Sequence, residues 1–370
     1  MNPRPAIDRV FDVFARRLDG PLMVTLVVLC ALSLAVVFSA SGQSNDRLLG
    51  QARNFAVALV VLWMAANIPP QQLMRLALPV YVAGLGLLIS VALFGEIRNG
   101  ARRWLSLGFV TVQPSEIMKI GVPLLLAAYF HRKEEGLNLK DFVIAGLILM
   151  LPTGLIMRQP DLGTSVLIFA SGFFVIFLAG LSWKLLIAGG VAGLAALPLA
   201  WWYVLHDYQR TRVLTLVDPS TDPLGAGYHI IQSTIAIGSG GVFGKGWLNG
   251  SQSQLDFIPE RSTDFILAVF GEEFGLIGLL LLITLYMIII GRGLVIALNA
   301  PTTFSRLLAG AITMTFFTYA FVNMGMVTGV LPVVGVPLPL VSYGGTAILS
   351  MFMGFGILMS VASHKRLVST

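Results

Sequence analysis

One cysteine, four histidines and few charges set the first limits on this chain of 370 residues. Cys30 has no second cysteine, which excludes an intramolecular disulfide and a cysteine-built metal site. His131, His206, His229 and His364 are dispersed without ligand spacing, so a histidine-held metal is not expected. Charged residues make up only 11% and hydrophobic residues 56%, with a mean hydropathy of +0.85. Soluble domains carry roughly a quarter charged residues, so this is not a soluble globule. The net charge of +6 comes from Lys and Arg scattered between apolar runs. No basic stripe with interleaved aromatics is present, so nucleic acid is not an expected partner. Internal repeats and low-complexity tracts are also missing.

What the chain has is apolar length. Runs of about 20 apolar residues, the length that crosses a bilayer as helix, recur throughout. They fall at Leu22–Phe38, Ala52–Ile68, Leu73–Phe94, Ser115–Phe130, Phe142–Met157, Thr164–Ala179, Leu185–Leu205, Asp264–Ile290, Phe304–Val330 and Leu340–Val361. The expected fold is an all-α polytopic membrane protein of about ten transmembrane helices, forming one transmembrane domain over residues 1–370. The first run ends in Ser39-Ala40-Ser41-Gly42 and superficially looks like a signal peptide. It is long for that, and further spans follow at once, so it reads as an uncleaved first helix.

An even span count puts both termini on one side. Arg4, Arg9, Arg16 and Arg17 precede the first span, Arg132, Lys133 and Lys140 flank the fourth loop, and Lys365-Arg366 close the chain. Short Lys/Arg-rich loops stay cytoplasmic, which places both termini inside. Arg98, Arg102 and Arg103 then fall in an outside loop, against that rule, and ask for an anion. The long segment 205–263, between helices 7 and 8, is also outside. Tyr208, Tyr228, Ile230, Ile231, Trp247, Leu255 and Phe257 give it too many apolar anchors for a free linker, so a partly helical cap on the membrane surface is expected.

Four polar constellations interrupt the apolar pattern. Pro259-Glu260-Arg261-Ser262-Thr263-Asp264 runs into a span that itself contains Glu272-Glu273. Asp264 reads either as a helix-start acid favoured by the dipole, with Ser262 or Thr263 as cap, or as a functional carboxylate. Gln113-Pro114-Ser115-Glu116-Ile117-Met118-Lys119 sets an acid and a base on one helix face, as structural neutralisation or as chemistry. Nearby, Arg102-Arg103-Trp104 offers guanidinium forks that match phosphate oxygens. Gln159-Pro160-Asp161-Leu162-Gly163-Thr164 opens another span. Gly335 to Gly345 is a proline- and glycine-broken stretch at membrane depth, tolerated where protein or a wet cavity surrounds it. Gly238 to Gly246 resembles a P-loop only superficially, since Ser239 and Gly246 replace the required glycine and hydroxyl. A carboxylate-held Mg2+ or Mn2+ stays open, because those ions prefer oxygen ligands.

Taken in order, these motifs resemble the SEDS family of membrane glycosyltransferases. The resemblance is carried by Gln113 to Glu116, Gln159 to Thr164, Asp218-Pro219, Asp222-Pro223-Leu224-Gly225, Gly227 to Ser233 and Gly250 to Leu255. It continues through Pro259-Glu260, Thr263 to Ile266 and Pro337 to Gly345, over essentially the whole chain. Ser251-Gln252-Ser253-Gln254 looks like the elongation branch rather than the division branch. Ser262 departs from the histidine that relatives commonly carry there.

The resemblance implies polymerisation of lipid II, an undecaprenyl-pyrophosphate-linked disaccharide-peptide, into glycan strands by inverting transfer. It implies Asp264 as base, directly or with a divalent cation. Chemistry then asks for cations facing the pyrophosphate leaving group, with Lys119, Arg102, Arg103 and Arg212 as candidates and Glu116 positioning Lys119. Asp161, Glu260 and Ser342 complete the expected substrate-binding set. The family further implies a class B penicillin-binding protein and the elongation machinery as partners, at the bacterial inner membrane. A lipid II flippase is the rival reading, since many spans and broken helices also describe transporters; a non-enzymatic scaffold is the third.

Overall fold

The computed structural model describes residues 17–98, 101–106, 111–134, 136–159, 161–203, 205, 207–223 and 225–364. Arg4, Arg9, Arg16, Gly100, Pro160, His206, Leu224, Lys365 and Arg366 lie outside the described residues, as do the side chains of Arg98, Arg102 and Tyr208.

Ten long helices form the body: α1 (Gly20–Ala40), α2 (Asn45–Asn67), α3 (Pro70–Phe94), α4 (Pro114–His131), α5 (Leu139–Met157), α6 (Leu162–Leu178), α7 (Trp183–Tyr203), then α11 (Ile266–Leu298), α12 (Thr303–Val327) and α13 (Thr346–Ser363). Seven of these are long and apolar enough by themselves to cross a membrane. The all-α polytopic expectation therefore holds. Between α7 and α11 lie α8 (Asp207–Val217), α9 (Ala226–Gly240) and the single turn α10 (Ser251–Gln254), so the long connection is partly helical.

Helix starts follow ordinary capping chemistry. Asp19 accepts from Leu22 N, Ser44 from Arg47 N, and Thr302 from Ser305 N, satisfying first-turn donors that have no intrahelical partner. Among the helix ends that differ from the apolar runs, two bear on the polar layer. The last helix begins at Thr346 rather than Leu340, because Pro337, Pro339 and Gly344-Gly345 hold the preceding stretch in turns. The eighth begins at Ile266, so Asp264 stands outside it, and neither Ser262 nor Thr263 caps it. Ser262 is buried and Thr263 donates to the Glu260 carboxylate instead.

One element was not legible in advance. The α3–α4 connection folds into three short antiparallel strands, β1 (Glu96–Arg98), β2 (Ala101–Ser106) and β3 (Thr111–Val112), in the order β1-β2-β3. This small sheet carries Arg103 and Trp104.

The bundle is closed by small residues at crossings. A Cβ at Gly356 of α13 would sit 2.4 Å from the Leu62 carbonyl of α2, the close backbone approach by which membrane helices associate. α7 is the exception, with its side chains almost all exposed from Trp183 to Leu199.

α11 is broken at Gly275, whose backbone leaves the helical region (φ 63°, ψ −161°). The 241–246 turn fills the break. Gly241 and Val242 carbonyls accept Leu276 and Ile277 amides at 3.0 and 3.2 Å, while Lys245 and Gly246 amides donate to Glu272 and Glu273 carbonyls at 3.0 Å each. The glycine run that mimics a P-loop is thus a backbone patch on an interrupted helix, satisfying groups that lipid cannot. The fully buried Glu272 side chain takes Lys245 Nζ at 2.7 Å and the amides of Gln252 and Ser253 at the start of α10. Glu273 takes the Ser39 hydroxyl of α1. Both carboxylates strap the polar segment to the bundle, which is why two acids sit in an apolar helix.

Candidate active site

The polar constellations converge at one end of the bundle. Asp264 follows a tight turn in which the Glu260 carbonyl accepts both Thr263 N at 3.0 Å and Phe265 N at 3.2 Å. Glu260 adopts a left-handed backbone (φ 51°) to close this turn. Its side chain accepts the Thr263 hydroxyl at 2.7 Å. The Asp264 carbonyl is held by the Asn323 side chain at 2.8 Å, which also donates to the Val336 carbonyl at 2.7 Å. Asn323 therefore ties α12, the 259–265 turn and the 328–345 loop together.

Burial raises the Asp264 carboxyl to about 6, and the neighbouring Glu260 charge pushes the same way; Arg212 and Arg103 oppose them. A carboxylate tuned there is a competent general base near neutral pH. Arg103 and Arg212 come from β2 and α8, so two segments distant in sequence bring cations to one acid. Arg103 Nε also lies 3.5 Å from Asp161 Oδ2. Asp161 caps α6 through Thr164 N at 3.1 Å and is buried. It serves both as the helix-start acid and as the anchor of an arginine.

Beneath this layer Lys119 Nζ lies 2.6 Å from Glu116 Oε1 and bonds the Tyr319 hydroxyl. Glu116 Oε2 takes the Ser350 hydroxyl at 2.6 Å. A buried ammonium is tolerable only with such partners. Lys119 is thus locked beneath the surface rather than offered on it.

Ser342 is buried with its hydroxyl committed internally, donating to the Thr263 carbonyl at 2.6 Å and accepting Leu338 N at 2.8 Å. It braces the turn that presents Asp264. The Arg102 side chain lies outside the described residues.

Several partners escaped sequence reasoning: Tyr319, Asn323, Ser350 and His229. Tyr319 and Asn323 are four apart and so share one face of α12, and that spacing is the signal available in the sequence. His229 of α9 stacks on Phe265 with ring centroids 5.1 Å apart. Burial lowers its pKa, against the smaller opposing effects of Glu260 and Asp222.

No group of three or more potential metal ligands forms among the described residues. A dedicated protein cage for a divalent cation is therefore not built here. Asp264 and Glu260 are the carboxylates that would hold a Mg2+ ion if substrate phosphates completed its shell.

Beside this polar layer, a groove of about 490 Å3 runs between α2, α3, α4 and α13. Gln113, Glu116 and Ser350 line its polar end, and Leu76, Val80 and Ile120 are among its apolar walls.

The comparisons with known proteins agree with one another. Residues 20–367 match the FtsW/RodA/SpoVE family model, described as cell cycle protein. The chain is 51% identical over 352 residues to the peptidoglycan glycosyltransferase MrdB of Escherichia coli strain K12, covering 95% of both. It is 34% identical to a probable peptidoglycan glycosyltransferase FtsW of Trichlorobacter lovleyi, covering 94% of each. A chain solved in work on "Structural coordination of polymerization and crosslinking by a peptidoglycan synthase complex" is similar at TM-score 0.81 and 34% identity, covering 93% of this chain and 97% of that one. The Thermus thermophilus rod shape determining protein RodA is similar at TM-score 0.70 and 27% identity, covering 93% and 96%. With its motifs, its helices and its full-length match in accord, the chain belongs to the FtsW/RodA/SpoVE family, the SEDS proteins, and is a multi-pass bacterial membrane protein.

Proposed function

We propose that this chain is a peptidoglycan glycosyltransferase that polymerises lipid II into glycan strands during cell elongation. The observation that carries the reading is Asp264, half-buried and tuned to about 6, facing the fields of Arg103 and Arg212. In the reaction an acceptor sugar hydroxyl attacks the anomeric carbon of a lipid-linked donor. Asp264 takes the hydroxyl proton as the new C–O bond forms. The bond from the anomeric carbon to the pyrophosphate oxygen breaks, and the lipid pyrophosphate leaves with the electron pair. Arg103 and Arg212 oppose the charge that grows there, and Lys119 adds its field from beneath. A single displacement inverts an α-linked donor to a β-linked product.

The groove between α2, α3, α4 and α13 suits the polyprenyl tail, since its apolar walls end at Glu116, beside the charged layer. Asp264 and Glu260 would hold a Mg2+ or Mn2+ ion, which would supply charge neutralisation toward the pyrophosphate. The family relationship and the synthase-complex neighbour support a transpeptidase of the class B penicillin-binding type as partner, within the elongation machinery. The positive-inside pattern supports cytoplasmic termini and an active site facing outward across the inner membrane.

The test is purified protein supplied with lipid II in detergent. Polymer from wild type and none from Asp264→Asn, at equal folding, is the expected result. Detergent removes the two sides that a flippase needs, so polymer formation also separates the two activities. Equal polymer from Asp264→Asn would overturn the assignment of the base.

A further inference from the structure

A second polar opening lies one residue from Asp264. This cleft, of about 570 Å3, sits between the α1–α2 turn and the 256–263 loop, with Ser44, Arg47, Glu260, Ser262, Thr263 and Tyr343 among its walls. Left-handed, non-glycine backbone collects around it. Asp256 (φ 60°) and Glu260 (φ 51°) line it, and Gln43 (φ 62°) lies in the α1–α2 turn. Such conformations are strained for residues with a Cβ and gather at ligand clamps, where the surroundings over-determine them.

The walls are tied to each other. Tyr343 N donates to the Ser262 carbonyl at 2.8 Å. Arg47 Nη1 donates to Ser262 Oγ at 2.5 Å. Arg261 is committed to Asp256 and to the Ser253 carbonyl. Arg47 is exposed and has no carboxylate within ion-pair distance among the described residues.

Charge decides what fits. The acids Asp256 and Glu260 balance Arg47 and Arg261, so a pyrophosphate here would meet two carboxylates. Serine and threonine hydroxyls, two acids and a tyrosine ring suit the hydroxyls and amides of a sugar. The open fork of Arg47 suits one carboxylate. Thr263 lines the cleft and is bonded directly to Asp264, and Glu260 both lines the cleft and acts electrostatically on Asp264.

We propose that this cleft is the acceptor subsite: it holds the sugar that carries the attacking hydroxyl, with a carboxylate of its attached peptide on Arg47. The assignment rests on the polymerase reading above. Ser262 places a small hydroxyl on the cleft wall, where it accepts from Arg47.

The experiment titrates purified full-length protein in detergent with a soluble, lipid-free disaccharide-peptide and follows binding by calorimetry or saturation-transfer NMR. Wild type binds the probe. Arg47→Ala binds about tenfold or more weakly, as expected for a charged hydrogen bond removed. Arg47→Lys, which keeps the charge and guards against misfolding, falls between them. A probe with amidated carboxylates binds wild type as weakly as the acidic probe binds Arg47→Ala, and inorganic pyrophosphate does not displace either. No binding to wild type at millimolar probe, equal binding to Arg47→Ala, or displacement by pyrophosphate overturns the subsite. Polymerisation by wild type with no Arg47 effect on binding would sink the subsite alone. Arg47-dependent binding in a protein that makes no polymer would sink the polymerase reading alone.

Discussion

Glu116 Oε1 lies 2.6 Å from Lys119 Nζ across one turn of α4, and the second Glu116 oxygen takes the Ser350 hydroxyl of α13 at 2.6 Å. The pair is therefore a joint between two helices as well as a charge beneath the active site. Removing either partner leaves a buried charge uncompensated, which costs about 3–5 kcal/mol. Lys119→Met and Glu116→Leu should each lower the melting temperature in detergent. Exchanging the two residues should restore most of the melting temperature without restoring lipid II polymerisation, because the positive charge then sits on the Ser350 side. Full activity in the exchanged variant would reduce the pair to a bridge.

Asp264 carries the pH dependence. Its carboxyl, ordinarily near 3.8, is raised to about 6, so the base form is lost as pH falls through 6. The polymerisation rate should drop on the acid side with an apparent pKa near 6. Asp264→Asn should lower the rate by about 10²–10⁴-fold, the usual contribution of a general base. A raised acid pKa also means that folding stability falls as pH rises from about 3.8 and that the full cost is present above pH 6. The Asn variant should therefore melt higher than wild type at pH 8, with the gap closing below pH 4. Melting curves at both pH values check the sign.

Glu260 adds a second negative charge beside Asp264. Glu260→Gln should lower the Asp264 pKa and move the acid limb of the rate profile downward by a fraction of a unit. If a divalent cation completes the site, EDTA abolishes polymerisation, Mg2+ or Mn2+ restores it, and Glu260→Gln raises the metal concentration needed. An EDTA-insensitive enzyme would dispose of the cation.

Gly275 tests the broken helix. A Cβ there would lie 2.3 Å from Gly244 N, on a backbone with φ 63°. Gly275→Ala should be destabilising by about 1–3 kcal/mol through overpacking and strain. Gly291→Ala, in the same helix with open space around its Cα, should be close to neutral. Thermal shift in detergent compares the two directly.

Reading the chain residue by residue reached some of this and not the rest. Asp264, Glu116, Lys119 and Asp161 were conspicuous because a charged residue in an apolar run is costly wherever it stands. Tyr319 and Asn323 were passed over because each is unremarkable until the helix face it shares is matched to α4 and the 259–265 turn. Ser342 was chosen for its motif and turned out to spend its hydroxyl on the Thr263 carbonyl and Leu338 amide.

Apolar run length alone placed the membrane helices, because the bilayer demands a fixed number of residues per crossing. The same one-dimensional signal marked the polar breaks and, through their order, the family. Helix packing decided everything that joins distant segments: Lys119 against Tyr319, Arg103 against Asp161, the 241–246 turn in the gap at Gly275, and the cleft beside Thr263. Those contacts depend on which faces meet in three dimensions, and no local periodicity encodes that. Asp264 reads in the sequence as an acid that could merely start a helix; the tertiary structure sets it outside α11, in the fields of two arginines from elsewhere in the chain.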